Sequence, residues 1–121
     1  MSVLCHSSDA ELCARLASLP SLRDAELEVC DDLAGTLEAV RRDHHRLVLV
    51  DAADADADGL SLCRKIRATT GKDQCVIVLL AAGDDPALHR LALQAGADEV
   101  VDRRADDRQL DARLAPARRR A

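Results

Sequence analysis

An open three-layer α/β/α sandwich around one parallel five-stranded sheet is the fold class that this sequence predicts. The chain has 121 residues, which suffices for one hydrophobic core but not for two. Short apolar runs alternate with amphipathic segments along the whole length, which is the pattern of repeated strand–helix units. Two of the runs, 47–50 and 75–80, are continuously apolar, as expected for strands that helices cover on both faces.

The first half of the chain supplies two strand–helix units and a third strand. The predicted strands and helices are, in order, 2–6, 9–19, 25–30, 33–44 and 46–51. Ser8 or Asp9 can cap the first helix and Asp32 the second, because their side-chain oxygens can accept bonds from the free N–H groups of the first turn. His44 and His45 are expected to end the second helix, where positive charge suits the helix dipole.

The second half continues the alternation. Its predicted helices and strands are, in order, 60–68, 75–80, 86–95, 99–101 and 107–115. Asp58 is expected to cap the third helix, Asp85 with Pro86 the fourth, and Gly96 to end the fourth. Residues 116–121 are expected to form either a frayed helix end or the start of a linker, so that 1–121 is a single domain.

The composition excludes several classes of function. The chain has no Phe, Tyr or Trp and a net charge of −5, which argues against nucleic-acid binding. No apolar stretch approaches the roughly 20 residues that span a bilayer, and no signal segment is present. The five cysteines are an odd number without a C-x-x-C motif, which predicts reduced core residues in a soluble, cytoplasmic protein. We find no arrangement of catalytic nucleophile and base, so an enzyme is not expected.

Several motifs make the chain similar to response-regulator receiver domains, the CheY-like family of two-component signalling. They are LVLVD at 47–51, DGL at 58–60 with CRKIR at 63–67, VIVL at 76–79 with Ala81 and GD at 83–84, and AGADE at 95–99. The resemblance covers essentially the whole chain. It implies a flavodoxin-like (βα)5 fold with strand order 2-1-3-4-5. It also implies that Asp51 stands where the family accepts a phosphoryl group with the help of Mg²⁺.

The positions that support this chemistry in the family differ here. The acidic pair after the first strand is replaced by His6 and Ser7, the hydroxyl residue at the end of the fourth strand by Leu80, and the lysine after the fifth by Arg103. Mg²⁺ prefers several oxygen ligands, and phosphoryl transfer depends on neutralising charge. We therefore predict a pseudo-receiver without metal or cofactor, in which Asp51 caps the following loop or contacts Arg103.

The resemblance also implies a partner-binding surface on helix four, strand five and helix five, at about residues 85–119. Val100 stands where the family has an aromatic residue, and Arg104 where proline is usual. The surface mixes charges of both signs, from Arg90, Asp98, Asp102, Arg103, Arg104, Asp106, Asp107, Arg108 and Arg113. Such a mixture suits a self-complementary two-fold dimer, so we expect a homodimer, another protein partner or an attached output domain.

Two other functions remain open at this point. One is a conventional receiver that a histidine kinase phosphorylates on Asp51, with Mg²⁺ held by Asp51, by Asp9 or Asp54, and by backbone carbonyls. The other is a small-ligand-binding domain of the flavodoxin-like architecture, with a pocket lined by His6, Asp51 and Ala81.

Two metal sites are weaker alternatives. The aspartates at 54, 56 and 58 resemble the start of a calcium loop, but its twelfth position is Lys65 instead of a bidentate Glu. His6 with Asp51 offers an imidazole and a carboxylate to a transition metal, although two ligands are too few.

Overall fold

The structure is a computed structural model and describes residues 2–43, 45–52, 57–70 and 75–121. Within these ranges strands and helices alternate as the sequence predicts. They are β1 (Ser2–His6), α1 (Ala10–Ser18), β2 (Glu26–Cys30), α2 (Leu33–Arg42), β3 (Leu47–Ala52), α3 (Ala57–Thr70), β4 (Val76–Ala81), α4 (Pro86–Gln94), β5 (Glu99–Asp102) and α5 (Asp107–Arg120).

The five strands form one parallel sheet in the order β2-β1-β3-β4-β5, which confirms the predicted fold class. Alternate side chains of each strand enter two separate cores. Val48 and Val50 of β3 pack with α2, α3 and α4, while Leu47 and Leu49 pack with α1 and α5. The three layers therefore follow from continuously apolar central strands that are covered on both faces.

Side-chain oxygens cap the helices where the sequence predicts. Asp9, Asp32 and Asp85 accept bonds from the backbone N–H groups of the first turns of α1, α2 and α4. Gly96 follows α4 with a φ of 109°, a backbone conformation that side chains with a Cβ rarely adopt. These local signals set where three of the helices begin and where α4 ends.

The prediction that His44 and His45 end the second helix was wrong for His45. Helix α2 ends at Arg42, and Asp43 after it has extended backbone angles. His45 is buried just before β3, with Nδ1 3.2 Å from the Ser2 hydroxyl. The basic residues of the last helical turn are Arg41 and Arg42, and these provide the positive charge that suits the dipole. His44 lies outside the described residues.

Two other predicted helix limits need correction. Helix α3 begins at Ala57, so Asp58 is not the residue preceding the helix, and its side chain lies outside the described part of the chain. Helix α5 continues through Pro116 to Arg120 instead of ending at 115. A proline removes one helical hydrogen bond. Burial of Ala117, and the bonds from Arg118 to Asp24 and to the Ser21 carbonyl, favour continuation of the helix.

The cysteines are part of the core or pack against it. All five are free, and four are buried, while Cys30 is half-buried and packs against the core of α2, α3 and α4. Burial raises the pKa of Cys63 to about 12 and also raises the pKa of Cys5, so both thiols stay protonated. Within the described ranges, no helix combines the length and the apolar character that crossing a membrane requires.

Candidate functional site

The carboxyl ends of three strands place a small polar cluster at one edge of the sheet. Ser7 follows β1, Asp51 lies near the end of β3, and Arg103 follows β5. Asp9, the residue before α1, completes the cluster. Parallel strands bring their carboxyl ends to one edge, so residues far apart in sequence meet there. The side chain of Asp51 is only 7% exposed, and that of Arg103 is 17% exposed.

Both carboxylate oxygens of Asp51 are engaged by groups of the chain. The Ser7 hydroxyl donates to Oδ2 over 2.7 Å. The Nε of Arg103 lies 2.9 Å from Oδ1, and its Nη2 lies 3.5 Å from Oδ2. Among the described residues, neither Nε of Arg103 nor Oδ1 of Asp51 has a hydrogen-bond partner, so their contact is an ion pair and not a well-aligned hydrogen bond. Arg103, a residue of the chain itself, therefore supplies the positive charge next to Asp51.

Arg103 also contacts a second carboxylate. Its Nη2 donates to Oδ2 of Asp9, while Oδ1 of Asp9 accepts the N–H of Leu12 over 3.0 Å at the start of α1. The Leu12 N–H bond and the Arg103 guanidinium hold the pKa of Asp9 below its usual value. Asp9 therefore caps α1 and forms an ion pair with Arg103 at the same time.

Sequence reasoning found Asp51, Ser7 and Arg103 but missed the bridge from Arg103 to Asp9. The sequence predicts that Asp9 caps α1, or that it binds Mg²⁺ if the chain is a conventional receiver. Its partner could have been sought among basic residues after β5, because β1 and β5 end at the same edge. No spacing in the sequence predicts that the Arg103 guanidinium extends from its own loop to Asp9 in another.

Leu80 lies next to Asp51 in the sheet and offers no polar group. The two residues are paired in the register of β3 and β4, and Leu80 is fully buried among the residues that pack with α1 and α5. Val100 of β5 is half-buried and packs on the opposite core. The structure thus places apolar side chains at both positions, where the family has a hydroxyl group and an aromatic ring.

The alternative in which His6 and Asp51 bind a metal together depends on the direction of the His6 side chain. The Nδ1 of His6 lies 2.8 Å from the hydroxyl of Thr36 in α2, on the sheet face opposite to Asp51. Successive strand residues point to opposite faces, and Asp51 follows Leu47 and Leu49 toward α1 and α5. The side chains of His6 and Asp51 therefore point away from each other, and the alternative of a shared transition metal gains no support. The calcium-loop alternative rests on Asp54 and Asp56, which lie outside the described residues, and on Asp58, of whose side chain the same is true.

A cavity of about 610 Å³ lies on the surface of α4, β5 and α5 and not at Asp51. Its lining includes Ala81, His89, Val100 and Arg104, but neither His6 nor Asp51. This cavity is therefore a different one from the pocket lined by His6, Asp51 and Ala81 that the small-ligand hypothesis predicts.

The charges of this surface are partly satisfied within the chain. Arg113 pairs with Glu99 over 2.8 Å. The backbone N–H groups of Arg104 and Gly83 donate to Asp102, and these bonds lower the pKa of its carboxyl. Arg90 and Arg108 are exposed, and neither forms an ion pair within the part of the chain that the structure describes. They are the cations of this surface most available to a partner.

The family model of the response regulator receiver domain matches residues 6–115. The chain belongs to this family. It is 36% identical over 84 residues to the transcriptional regulatory protein AfsQ1 of Streptomyces coelicolor, a match that covers 69% of the chain and 36% of AfsQ1. The receiver domain therefore spans little more than a third of that relative's length.

Solved structures give the same assignment of fold. The BeF3-activated receiver domain of Klebsiella pneumoniae RstA is 28% identical with a TM-score of 0.81, covering 98% of this chain and 99% of the other. An atypical orphan response regulator, whose structure is described as revealing a phosphorylation-independent regulatory mechanism, is 18% identical with a TM-score of 0.79. That match covers 98% of this chain and 96% of the other, and at this identity it shows the fold alone.

Proposed function

We propose that this receiver domain signals by protein–protein contact without depending on phosphorylation of Asp51. The observation that carries the proposal is the ion pair between Asp51 and Arg103, in which a guanidinium of the chain lies 2.9 Å from the acceptor carboxylate. The resemblance implies that in the family this carboxylate accepts a phosphoryl group with the help of Mg²⁺. Here the same carboxylate is paired and nearly buried.

A magnesium ion finds poor ligands at this edge. Mg²⁺ takes oxygen ligands at about 2.0–2.1 Å in near-octahedral geometry. Among the described residues, the nearby side-chain oxygens are those of Ser7, Asp9 and Asp51, and each of these side chains already has a partner within the cluster. Arg103 contacts both oxygens of Asp51 and one oxygen of Asp9, so a divalent cation would have to displace its guanidinium from two carboxylates.

The relay from Asp51 to the partner surface is also weakened. In the family a phosphoryl group attracts the hydroxyl residue at the end of the fourth strand. Leu80 cannot donate a hydrogen bond, and its full burial leaves the side chain no room to reorient. Phosphorylation of Asp51 would therefore have little effect on the surface around Val100.

The test is incubation of the full chain with Mg²⁺ and a small-molecule phosphodonor, followed by intact-mass spectrometry. We expect no phosphoryl adduct under conditions in which a conventional receiver is modified completely. Asp51→Asn is the matched control, because it removes the acceptor oxygen while keeping the size of the side chain. A stoichiometric adduct that Asp51→Asn abolishes would overturn the proposal.

A conventional receiver is the second candidate, and a specific observation favours it. Asp51 keeps its place at the end of β3 beside a basic residue that follows β5, in a chain 28% identical to a receiver that was solved in a BeF3-activated form. Under that function Arg103 would release Asp51 when Mg²⁺ binds. The same adduct experiment separates the two candidates.

We propose that the partner is a protein, either an attached output domain or a second copy, in the bacterial cytoplasm. Support comes from relatives named as transcriptional regulators, of which this chain spans only a part. Exposed Leu91 on α4, 46% accessible, lies beside Arg90 on the proposed partner surface. An apolar side chain flanked by free cations is typical of a contact surface.

A further inference from the structure

Three side chains that the proposed function does not use converge at the opposite edge of the sheet from Asp51. Glu28 lies in β2, Asp43 directly follows α2, and His45 precedes β3. One ligand atom of each lies within 4.8 Å of the others. Carboxylate oxygens and imidazole nitrogens are the donor types that bind zinc and similar divalent ions.

The imidazole of His45 is the decisive member of this cluster. Its side chain is only 1% exposed, and its Nε2 lies 3.5 Å from Oε1 of Glu28 without a hydrogen bond. A buried polar atom without a partner costs free energy, so the position of this nitrogen within 4.8 Å of two carboxylates calls for an explanation. Ser2 lies 3.2 Å from Nδ1, and a proton on Nδ1 leaves the lone pair of Nε2 free to bind a metal.

Arg42 orients the two carboxylates by bonding one oxygen of each. Its Nη2 donates to Oε2 of Glu28 over 2.9 Å, and its Nε donates to Oδ2 of Asp43 over 2.8 Å. Oε1 of Glu28 remains directed toward His45. Two carboxylates against one guanidinium leave the cluster with a net negative charge, which still attracts a divalent cation.

We propose that Glu28, Asp43 and His45 form a binding site for a divalent transition-metal ion such as Zn²⁺. Ligands at about 2.0–2.1 Å from a tetrahedral ion lie about 3.3 Å apart, close to the 3.5 Å between Nε2 of His45 and Oε1 of Glu28. Three protein ligands leave the fourth position to water. The site joins β2, the end of α2 and the start of β3.

The test is calorimetric titration of the metal-free full chain with Zn²⁺ at neutral pH. We expect one zinc ion per chain and a loss of affinity of at least tenfold in Glu28→Gln and in His45→Gln. Glu28 is the safer change, because its side chain is 33% exposed and the fold should tolerate an amide there. His89→Gln is the matched control, since it removes a histidine far from the cluster and should leave the affinity unchanged.

Thiols need a separate control because Cys30 lies two residues from Glu28 on the same strand. Burial and the negative charge of Glu28 raise the pKa of Cys30, so we expect Cys30→Ser to bind zinc as the unmodified chain does. The Nε2 resonance of His45 in long-range ¹H–¹⁵N spectra should shift on adding Zn²⁺. The proposal is overturned if no zinc binds, if Glu28→Gln retains full affinity, or if Cys30→Ser loses it.

Discussion

The negative charge of Asp51 is compensated by partners within the chain. A carboxylate that is only 7% exposed is costly unless a cation or several donors compensate it. Ser7 supplies a hydroxyl donor and Arg103 supplies the charge. The same guanidinium neutralises Asp9, so one side chain compensates two acids from different loops.

Removing the guanidinium should therefore be costly. We expect Arg103→Met to lower the free energy of unfolding by about 3 kcal/mol, because it leaves a buried carboxylate without its cation. Arg113→Met is the matched control, since the exposed pair of Arg113 with Glu99 should contribute less than about 1 kcal/mol. Urea unfolding of both variants measures the difference. Equal losses in the two variants would contradict the role assigned to Arg103.

The lowered pKa of Asp9 predicts a dependence of stability on acid. A carboxyl whose pKa is lower in the folded state stabilises the fold above its unfolded pKa, and the contribution is lost as pH falls through the folded pKa. Asp9→Asn should thus be less stable than the unmodified chain at pH 7, and the difference should shrink in acid. Unfolding curves at pH 7 and below the usual Asp range test this. A difference that stays constant with pH would exclude the ion pair as its cause.

The contact of Asp51 with Arg103 was one of two alternatives predicted for Asp51, because the resemblance aligns Arg103 with the family's lysine after the fifth strand. The sequence did not predict the bridge to Asp9 or the burial of His45. Those contacts depend on the path of loops and on where α2 stops, and neither is fixed by apolar periodicity. The orientation of His6 could have been predicted, since strand alternation already sends it to the face opposite Asp51.

Between elements, Asp98 ties the end of α4 to α3 and β4. Its Oδ2 accepts the N–H of Ile77 over 2.8 Å and a guanidinium N–H of Arg67 over 2.6 Å. Arg67 also donates to the carbonyls of Gly96 and Cys75. The AGADE motif therefore has a structural basis here, because its aspartate connects three elements before β5 begins.

Loss of this connection should be measurable at a single amide. We expect Asp98→Ala to lower stability by about 1–3 kcal/mol and to speed hydrogen exchange at Ile77, whose N–H loses its acceptor. Asp84→Ala, a change on an exposed loop, should stay within about 0.5 kcal/mol of the unmodified chain. Unchanged exchange at Ile77 in Asp98→Ala would contradict the assigned bond.

The limits of the elements show what sequence signals can specify. Caps at Asp9, Asp32 and Asp85 were correct because each bond is local, made between a side chain and an N–H two or three residues away. The end of α5 was wrong because a proline signal was outweighed by tertiary contacts of Ala117 and Arg118. Helix caps can be predicted from the sequence because they are local, whereas the tertiary contacts that extend α5 could not be.

For the whole molecule, alternating apolar runs were enough to predict a five-stranded parallel sheet with helices on both faces. The strand order came from the resemblance to receivers and is confirmed. The surface of α4, β5 and α5 carries the exposed side chains Arg90, Leu91 and Arg108, which we propose to contact a partner.

A second copy of the chain is one such partner. We expect sedimentation equilibrium to show a dimer at high protein concentration, and Arg90→Glu with Arg108→Glu to weaken it at least tenfold by reversing the available cations. Arg23→Glu, exposed in the segment between α1 and β2, is the matched control and should leave the dimer intact. Only monomer at every concentration would contradict the homodimer.

The most direct measurement of the central claim is an NMR titration of the full chain with Mg²⁺ and beryllofluoride, which mimics a phosphoryl group on aspartate. Because Arg103 and Ser7 hold Asp51 and Leu80 cannot respond, we predict no change in the backbone amide shifts of Asp51, Leu80 and Arg103. Saturable shifts at these amides, absent in Asp51→Asn, would show that the carboxylate is available and would contradict the account.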